Sequence, residues 1–99
     1  MNDITAEELK QRLQNGENLL IIDVREPYEY EEYNLGAKLI PLGEIREKLD
    51  ELSEFADAEI VVHCRSGARS AAAKAYMLQN GFSKVRSLLG GVIAYQALD

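Results

Sequence analysis

The run Leu19-Leu20-Ile21-Ile22-Asp23-Val24 constrains this chain more than any other feature, because its apolar residues do not alternate with polar ones. A strand written that way has no face to give to water, so it must be covered on both sides. Ile60-Val61-Val62-His63 reads as a second buried strand, and Lys38–Pro41 and Val85–Leu88 as two shorter ones. Helical signals fall between them. Thr5 and Glu8 form a capping box and Ile4 and Leu9 a hydrophobic staple, so a helix begins at Ala6, with Gly16 as its stop. Pro27 opens a short acidic helix, because proline at a first helical position loses no needed hydrogen bond. Ile45, Leu49 and Leu52 recur at helical spacing, and Ala71, Ala72, Ala75, Tyr76 and Leu78 mark a helix that Gly81 ends. After Gly90-Gly91 comes a final helical turn or two. The alternation predicts an α/β fold of three layers, with a central parallel sheet between helices.

At 99 residues the chain is expected to form a single domain, residues 1–99. Eleven Lys plus Arg against 17 Asp plus Glu give a net charge of -6, a field that repels phosphate backbones and anionic lipid surfaces. Neither nucleic acid nor a membrane is therefore an expected partner. No stretch approaches the ~18 apolar residues of a membrane span, and the first residues carry no basic and apolar leader pattern, so neither anchoring nor export is expected. Cys64 is the only cysteine. An intramolecular disulfide is impossible, and a lone thiol suits a reducing compartment, which makes the cytoplasm the expected location. One His and one Cys, adjacent at 63 and 64, are too few soft ligands for a structural zinc site, and neither a metal nor a cofactor is expected.

The segment Cys64-Arg65-Ser66-Gly67-Ala68-Arg69-Ser70 lies between a strand and the alanine-rich helix, at the carboxyl edge of a parallel sheet, where open α/β folds place their ligand sites. Small residues at 66 to 68 let the backbone curl so that successive N–H groups form an anion-binding nest above a helix N-terminus. Such a field also favours a thiolate, since helix N-termini and nearby Arg lower a cysteine pKa. A lone Cys after a hydrophobic strand is otherwise a small buried hydrophobe. The two Arg and the glycine loop favour the functional reading.

These residues resemble the rhodanese family over nearly the whole chain. Leu20-Ile21-Ile22-Asp23-Val24-Arg25-Glu26-Pro27-Tyr28-Glu29-Tyr30 looks like that family's first long segment, Ile40-Pro41-Leu42 like its second short strand, and Cys64 to Ser70 like its active-site loop. Gly81-Phe82 and Leu89-Gly90-Gly91-Val92 resemble its closing segment. The resemblance implies a rhodanese-like α/β/α fold with a parallel sheet of about five strands, and a sulfurtransferase of the thiosulfate type. In the implied mechanism Cys64 takes sulfane sulfur from a small sulfur-containing anion such as thiosulfate. It then passes that sulfur from a persulfide to a thiol, cyanide or protein acceptor. The N–H groups of Arg65, Ser66, Gly67, Ala68 and Arg69 would hold the anionic sulfur, and the Arg65 and Arg69 side chains would pair with the donor's oxygens. Three positions depart from the family pattern. Asn34 stands where a His is usual and no Pro follows it, Tyr95 replaces a common Trp, and His63 precedes the Cys.

Asp23 and Arg25 follow the first long strand and read either as supports for the Cys64 loop or as a surface ion pair. By strand alternation His63 points away from the thiolate, as a structural histidine with satisfied nitrogens. Tyr28, Tyr30 and Tyr33 interleave with Glu29, Glu31 and Glu32 as an amphipathic helix with a solvated acidic side. Two rival functions share these residues. One is a cysteine-dependent phosphatase or arsenate reductase, echoed by His63-Cys64 and Arg69-Ser70. Its loop would have five residues between Cys and Arg, and here there are four. The other is a catalytically idle rhodanese module that binds a partner. The oligomeric state is not legible.

Overall fold

The computed structural model describes residues 1–98, so Asp99, the last residue of the expected domain, lies outside the described residues. Its sheet holds four parallel strands, β1 (Leu20–Asp23), β2 (Lys38–Leu39), β3 (Glu59–His63) and β4 (Lys84–Ser87), in the order β2-β1-β3-β4. The register pairs Asp23 with His63 and Val62 with Ser87. The helices are α1 (Ala6–Gln14), α2 (Pro27–Glu32), α3 (Ile45–Lys48), α4 (Ala68–Gln79) and α5 (Gly91–Gln96), with 3-10 turns at Leu42–Glu44 and Leu49–Phe55. No helix among the described residues is long and apolar enough to cross a membrane.

Two apolar clusters explain why the strands lack alternation. On one face Ile22, Val24, Ile60, Val62 and Val85 meet Ile45, Leu49, Leu52, Ala73 and Met77 from α3, the second 3-10 turn and α4. On the other, Ile21 and Val61 meet Ile4, Ala6 and Leu9 around α1, with Ala94 and Tyr95 of α5 packed against them. Tyr95, which stands where the resemblance expects Trp, is thus an aromatic of the α1–α5 layer.

Four strands stand where the resemblance implies about five. The missing one is reduced to a single residue: Ile4 bridges to Leu88 in parallel, donating to Ser87 O at 3.1 Å and accepting from Leu89 N at 2.9 Å. Thr5 then accepts from Glu8 N at 3.1 Å and turns the chain into α1, so the strand has no room to lengthen. The helix starts and stops as its sequence predicts. Gly16 N bonds Leu13 O and Glu17 N bonds Arg12 O, the paired closure of a Schellman motif.

The second half of the expected capping box is absent for an electrostatic reason. The Glu8 carboxylate, rather than turning back to Thr5, accepts from Arg86 at 2.9 and 3.2 Å. Arg86 also reaches Glu59 at 3.0 Å, and Glu59 accepts two bonds from Arg12 at 2.6 and 2.7 Å. This network ties α1 to the starts of β3 and to β4. Hydrogen bonds from Arg12 lower the Glu59 carboxyl from 4.5 to about 2, with burial opposing them and Arg86 assisting. A carboxyl depressed in the folded state leaves the unfolded chain binding more protons between those values. Its stabilisation is therefore complete above pH 4.5 and is lost as the pH falls towards 2. Glu59→Gln should lower stability at pH 7 by about 2 kcal/mol. It should also reduce the slope of the urea midpoint against pH between 4.5 and 2. An unchanged slope would remove Glu59 from the acid sensitivity of the fold.

Candidate functional site

Where β3 ends the sheet order reverses, and the next residue is Cys64, 1% exposed. Its Sγ accepts from Gly67 N at 3.1 Å and Ser70 N at 3.3 Å, and the Ser70 hydroxyl oxygen lies 3.6 Å away. Gly67 makes the turn possible, since its φ of 124° lies in a region that side chains with a Cβ rarely adopt. Because Gly67 caps the helix, α4 begins inside the loop at Ala68, ahead of the alanines that announce it in the sequence. The N–H groups of its first turn have no acceptor within the helix, and that of Ser70 goes to the sulfur. Burial alone pushes the Cys64 thiol up. The Ser70 hydroxyl and the N–H groups of Ser70, Gly67 and Ser66 outweigh it, so the thiol ionises below its ordinary value.

The loop is fixed from outside by the start of α5. Val92 N donates to Cys64 O at 2.9 Å and Ile93 N to Arg65 O at 3.2 Å. Only glycine serves at position 91: its φ is 62°, and a Cβ there would overlap the Arg65 carbonyl.

The charged residues are arranged differently from the expectation. Arg69 does not project freely over the sulfur; its guanidinium makes a two-point ion pair with Glu29 at 2.7 and 2.9 Å. Glu29 in turn is held at about 2 by Arg69 foremost, against burial. That corrects in part the reading of α2 as a helix with a solvated acidic side: Glu31 and Glu32 are exposed, but the Glu29 side chain is only 12% exposed. Tyr30 also turns inward, its hydroxyl donating to Ala37 O at 2.6 Å. Asn34 fills the turn that follows, donating to Tyr30 O and accepting from Gly36 N, each at 2.9 Å, so this departure from the family pattern leaves the turn closed.

Arg65 is exposed and, with Tyr28, Glu32 and Ile93, lines a cleft of about 520 Å³. Ser66 and Ala68 are exposed on the same loop. Asp23 and Arg25 are buried, which rules out the surface ion pair. Arg25 binds the Asp23 carboxylate through Nε and a terminal nitrogen, and that terminal nitrogen also donates to Tyr33 O at 2.6 Å. The pair thereby ties the end of β1 to the end of α2 rather than touching the sulfur. His63 does face away from Cys64, paired across the sheet with Asp23. It is not the satisfied histidine expected: neither ring nitrogen has a hydrogen-bond partner among the described residues, and Asp23 Oδ2 is 3.7 Å away. Burial lowers its pKa, more than Asp23 raises it.

Sequence reasoning missed three residues that shape this site. Ser70 had a signal, since it stands three residues after the capping glycine, where a first-turn N–H is unclaimed. Glu29 and Ser87 had none, because their partners Arg69 and Ser70 are 40 and 17 residues distant.

Known proteins resemble this chain in sequence and in fold. The profile of the rhodanese-like domain family matches residues 5–98. A protein of Allochromatium vinosum named a sulfurtransferase is 38% identical over 96 residues, covering 96% of this chain and 88% of that one. A tRNA uridine(34) hydroxylase of Photorhabdus laumondii is 38% identical over 97 residues, and there the match spans 93% of this chain but 27% of that protein. The crystal structure of a rhodanese-related protein from Thermoplasma volcanium superposes with a TM-score of 0.84 at 29% identity, covering 99% of this chain and 93% of that one. The expected rhodanese-like α/β fold is thus met, with one strand fewer.

The hydrogen bonds on Cys64 generate a direct expectation. In an alkylation rate profile against pH, Cys64 should titrate below the ordinary thiol value of about 8.5. An apparent midpoint at or above that value would show that burial, and not the N–H cradle, governs the sulfur.

Proposed function

Since the chain belongs to the rhodanese-like domain family, we propose that it is a sulfurtransferase that carries sulfane sulfur as a persulfide on Cys64. The observation that supports this most is the sulfur itself: buried, lowered in pKa, and accepting from Gly67 and Ser70 N–H groups at 3.1 and 3.3 Å. A nest of that size is matched to one anionic sulfur. In the first half reaction the Cys64 thiolate attacks the outer sulfur of thiosulfate. A new S–S bond forms, the old one breaks, and sulfite leaves with its electron pair. In the second, a thiolate or cyanide attacks the outer sulfur of the persulfide and Cys64 departs as thiolate. The Ala68 and Arg69 N–H groups, at the first two positions of α4, have no acceptor within the helix and would serve the outer sulfur.

Arg65, exposed at the cleft, is the cation available to the donor's oxygens, because Arg69 is engaged by Glu29. A sulfur that is 1% exposed favours a slender acceptor, cyanide or a thiol, including a cysteine on an extended protein segment. A reducing compartment such as the cytoplasm suits a chain that works through one unpaired thiol.

Incubation with thiosulfate should add one sulfur atom to the intact mass, removable by dithiothreitol, and Cys64→Ser should abolish the adduct. An equal adduct on Cys64→Ser would sink the assignment. No adduct on the wild type would leave a binding module in its place.

The phosphatase reading makes the opposite demand on the loop. Four residues separate Cys64 from Arg69, and a phosphate seeking Arg69 would have to displace the Glu29 carboxylate. Inserting one glycine between Gly67 and Ala68 should displace the N–H groups from the sulfur. One lost oxyanion donor costs on the order of 3 kcal/mol, so thiocyanate formation should fall about a hundredfold. Vigorous hydrolysis of an aryl phosphate by the wild type, with no thiocyanate formed, would reverse the ranking.

A further inference from the structure

Behind Cys64 lies a hydroxyl chain that neither the cleft nor the two arginines account for. The Ser70 hydroxyl oxygen is 3.6 Å from the Cys64 sulfur and 2.7 Å from the hydroxyl oxygen of Ser87, the last residue of β4. Both serines are buried, at 0% and 4% exposure, so water is not their alternative partner. Ser87 is held still from behind: its N–H donates to Asp3 Oδ1 at 2.9 Å, and Lys74 holds that carboxylate at 2.7 Å.

Resting on the reading of Cys64 as the sulfur-carrying nucleophile, we propose that Ser87 is a positioning residue that acts through Ser70 to direct a hydroxyl proton onto the Cys64 sulfur. The argument is one of proton counting. A serine hydroxyl has a single proton, and three atoms compete for that of Ser70: Gly67 O at 3.1 Å, Ser87 Oγ and Cys64 Sγ. Gly67 O already accepts from Ala71 N at 3.0 Å, so it loses little when Ser70 turns away. With a neutral thiol, the S–H donates to Ser70 Oγ. With an anionic sulfur, Ser70 donates to it, and the Ser70 oxygen then needs a donor of its own. Ser87 supplies one. Two hydroxyls aligned in one direction polarise each other, and the bond that gains is the one ending on the anion.

The charged and titratable groups around the loop are Arg65 and Arg69 on it, Tyr28 and Glu29 from α2, Asp23 and Arg25 at the end of β1, His63 of β3, and Asp3 with Lys74 and Arg86 behind Ser87. Ser87→Ala alters none of them. It removes only the donor to Ser70.

The test is the pH profile of Cys64 alkylation in the full chain, with circular dichroism and a urea midpoint confirming the fold. Ser87→Ala should raise the midpoint by about half a unit and slow alkylation about threefold on the acid side. Ser87→Thr, which keeps the hydroxyl, should return it towards the wild type. If Ser87→Ala does not fold, Ser87→Thr against Ser87→Val makes the same comparison with shape held constant. A purely structural role would lower the urea midpoint while leaving the alkylation midpoint unmoved, and that result overturns the proposal. Thiosulfate loading by intact mass is read in parallel. Loading of the wild type with an unmoved midpoint in Ser87→Ala overturns the role of Ser87 and spares the sulfur reading. A raised midpoint supports the role of Ser87 whether or not the wild type loads.

Discussion

The peptide planes that follow Cys64 are set from outside the loop, by the first turn of α5. A trans peptide carries its C=O and N–H on opposite sides. When Ile93 N draws the Arg65 carbonyl outward, the N–H of Ser66 on the same plane is turned the other way, towards the sulfur. Val92 acts likewise on the carbonyl of Cys64. The close approach needed for this is permitted by the missing side chain at Gly91. The inward set of the loop's N–H groups is thus a tertiary property, held jointly by α4 from within and α5 from without.

The same logic separates what the sequence discloses from what it withholds. The ends of α1 were legible because Thr5, Ile4, Leu9 and Gly16 act on neighbours within a few residues. The buried strands were legible because covering two faces leaves a run without polar breaks. Cys64 and its glycine turn were legible as a compact motif, and the family resemblance added their order. Glu29 was misread because nothing near it in the chain names Arg69, and a carboxylate on a short acidic helix looks solvated until the fold brings a cation to it. Glu8 was half misread for a similar reason: a distant guanidinium outbid the backbone of its own helix. His63 shows the limit of alternation, which gives the direction of a side chain and says nothing about whether partners wait there.

Arginine placement orders the remaining electrostatics. Arg12 and Arg86 join α1, β3 and β4 through Glu59, Arg25 is sealed against Asp23, and Arg69 is matched to Glu29. In a chain of net charge -6, these pairings hold cations in fixed places and leave Arg65 exposed at the cleft. The one exposed cation of the loop and the neutral N–H dipoles around the sulfur thus occupy different places.

The one-residue remnant of a fifth strand has a consequence for how copies of this chain meet one another. A bare strand edge offers a neighbour a row of unpaired backbone groups to extend. At the outer edge of β4, Ile4 takes the Ser87 carbonyl while the Asp3 carboxylate takes the Ser87 N–H. Further along, the guanidinium of Arg86 is drawn across to the Asn2 carbonyl, and Lys84 is exposed beside it. The opposite edge, β2, is two residues long and opens on an exposed lysine. Both margins of the sheet are stopped with charge or with the chain's own first residues, so the molecule discourages growth by strand addition without needing another strand to close it.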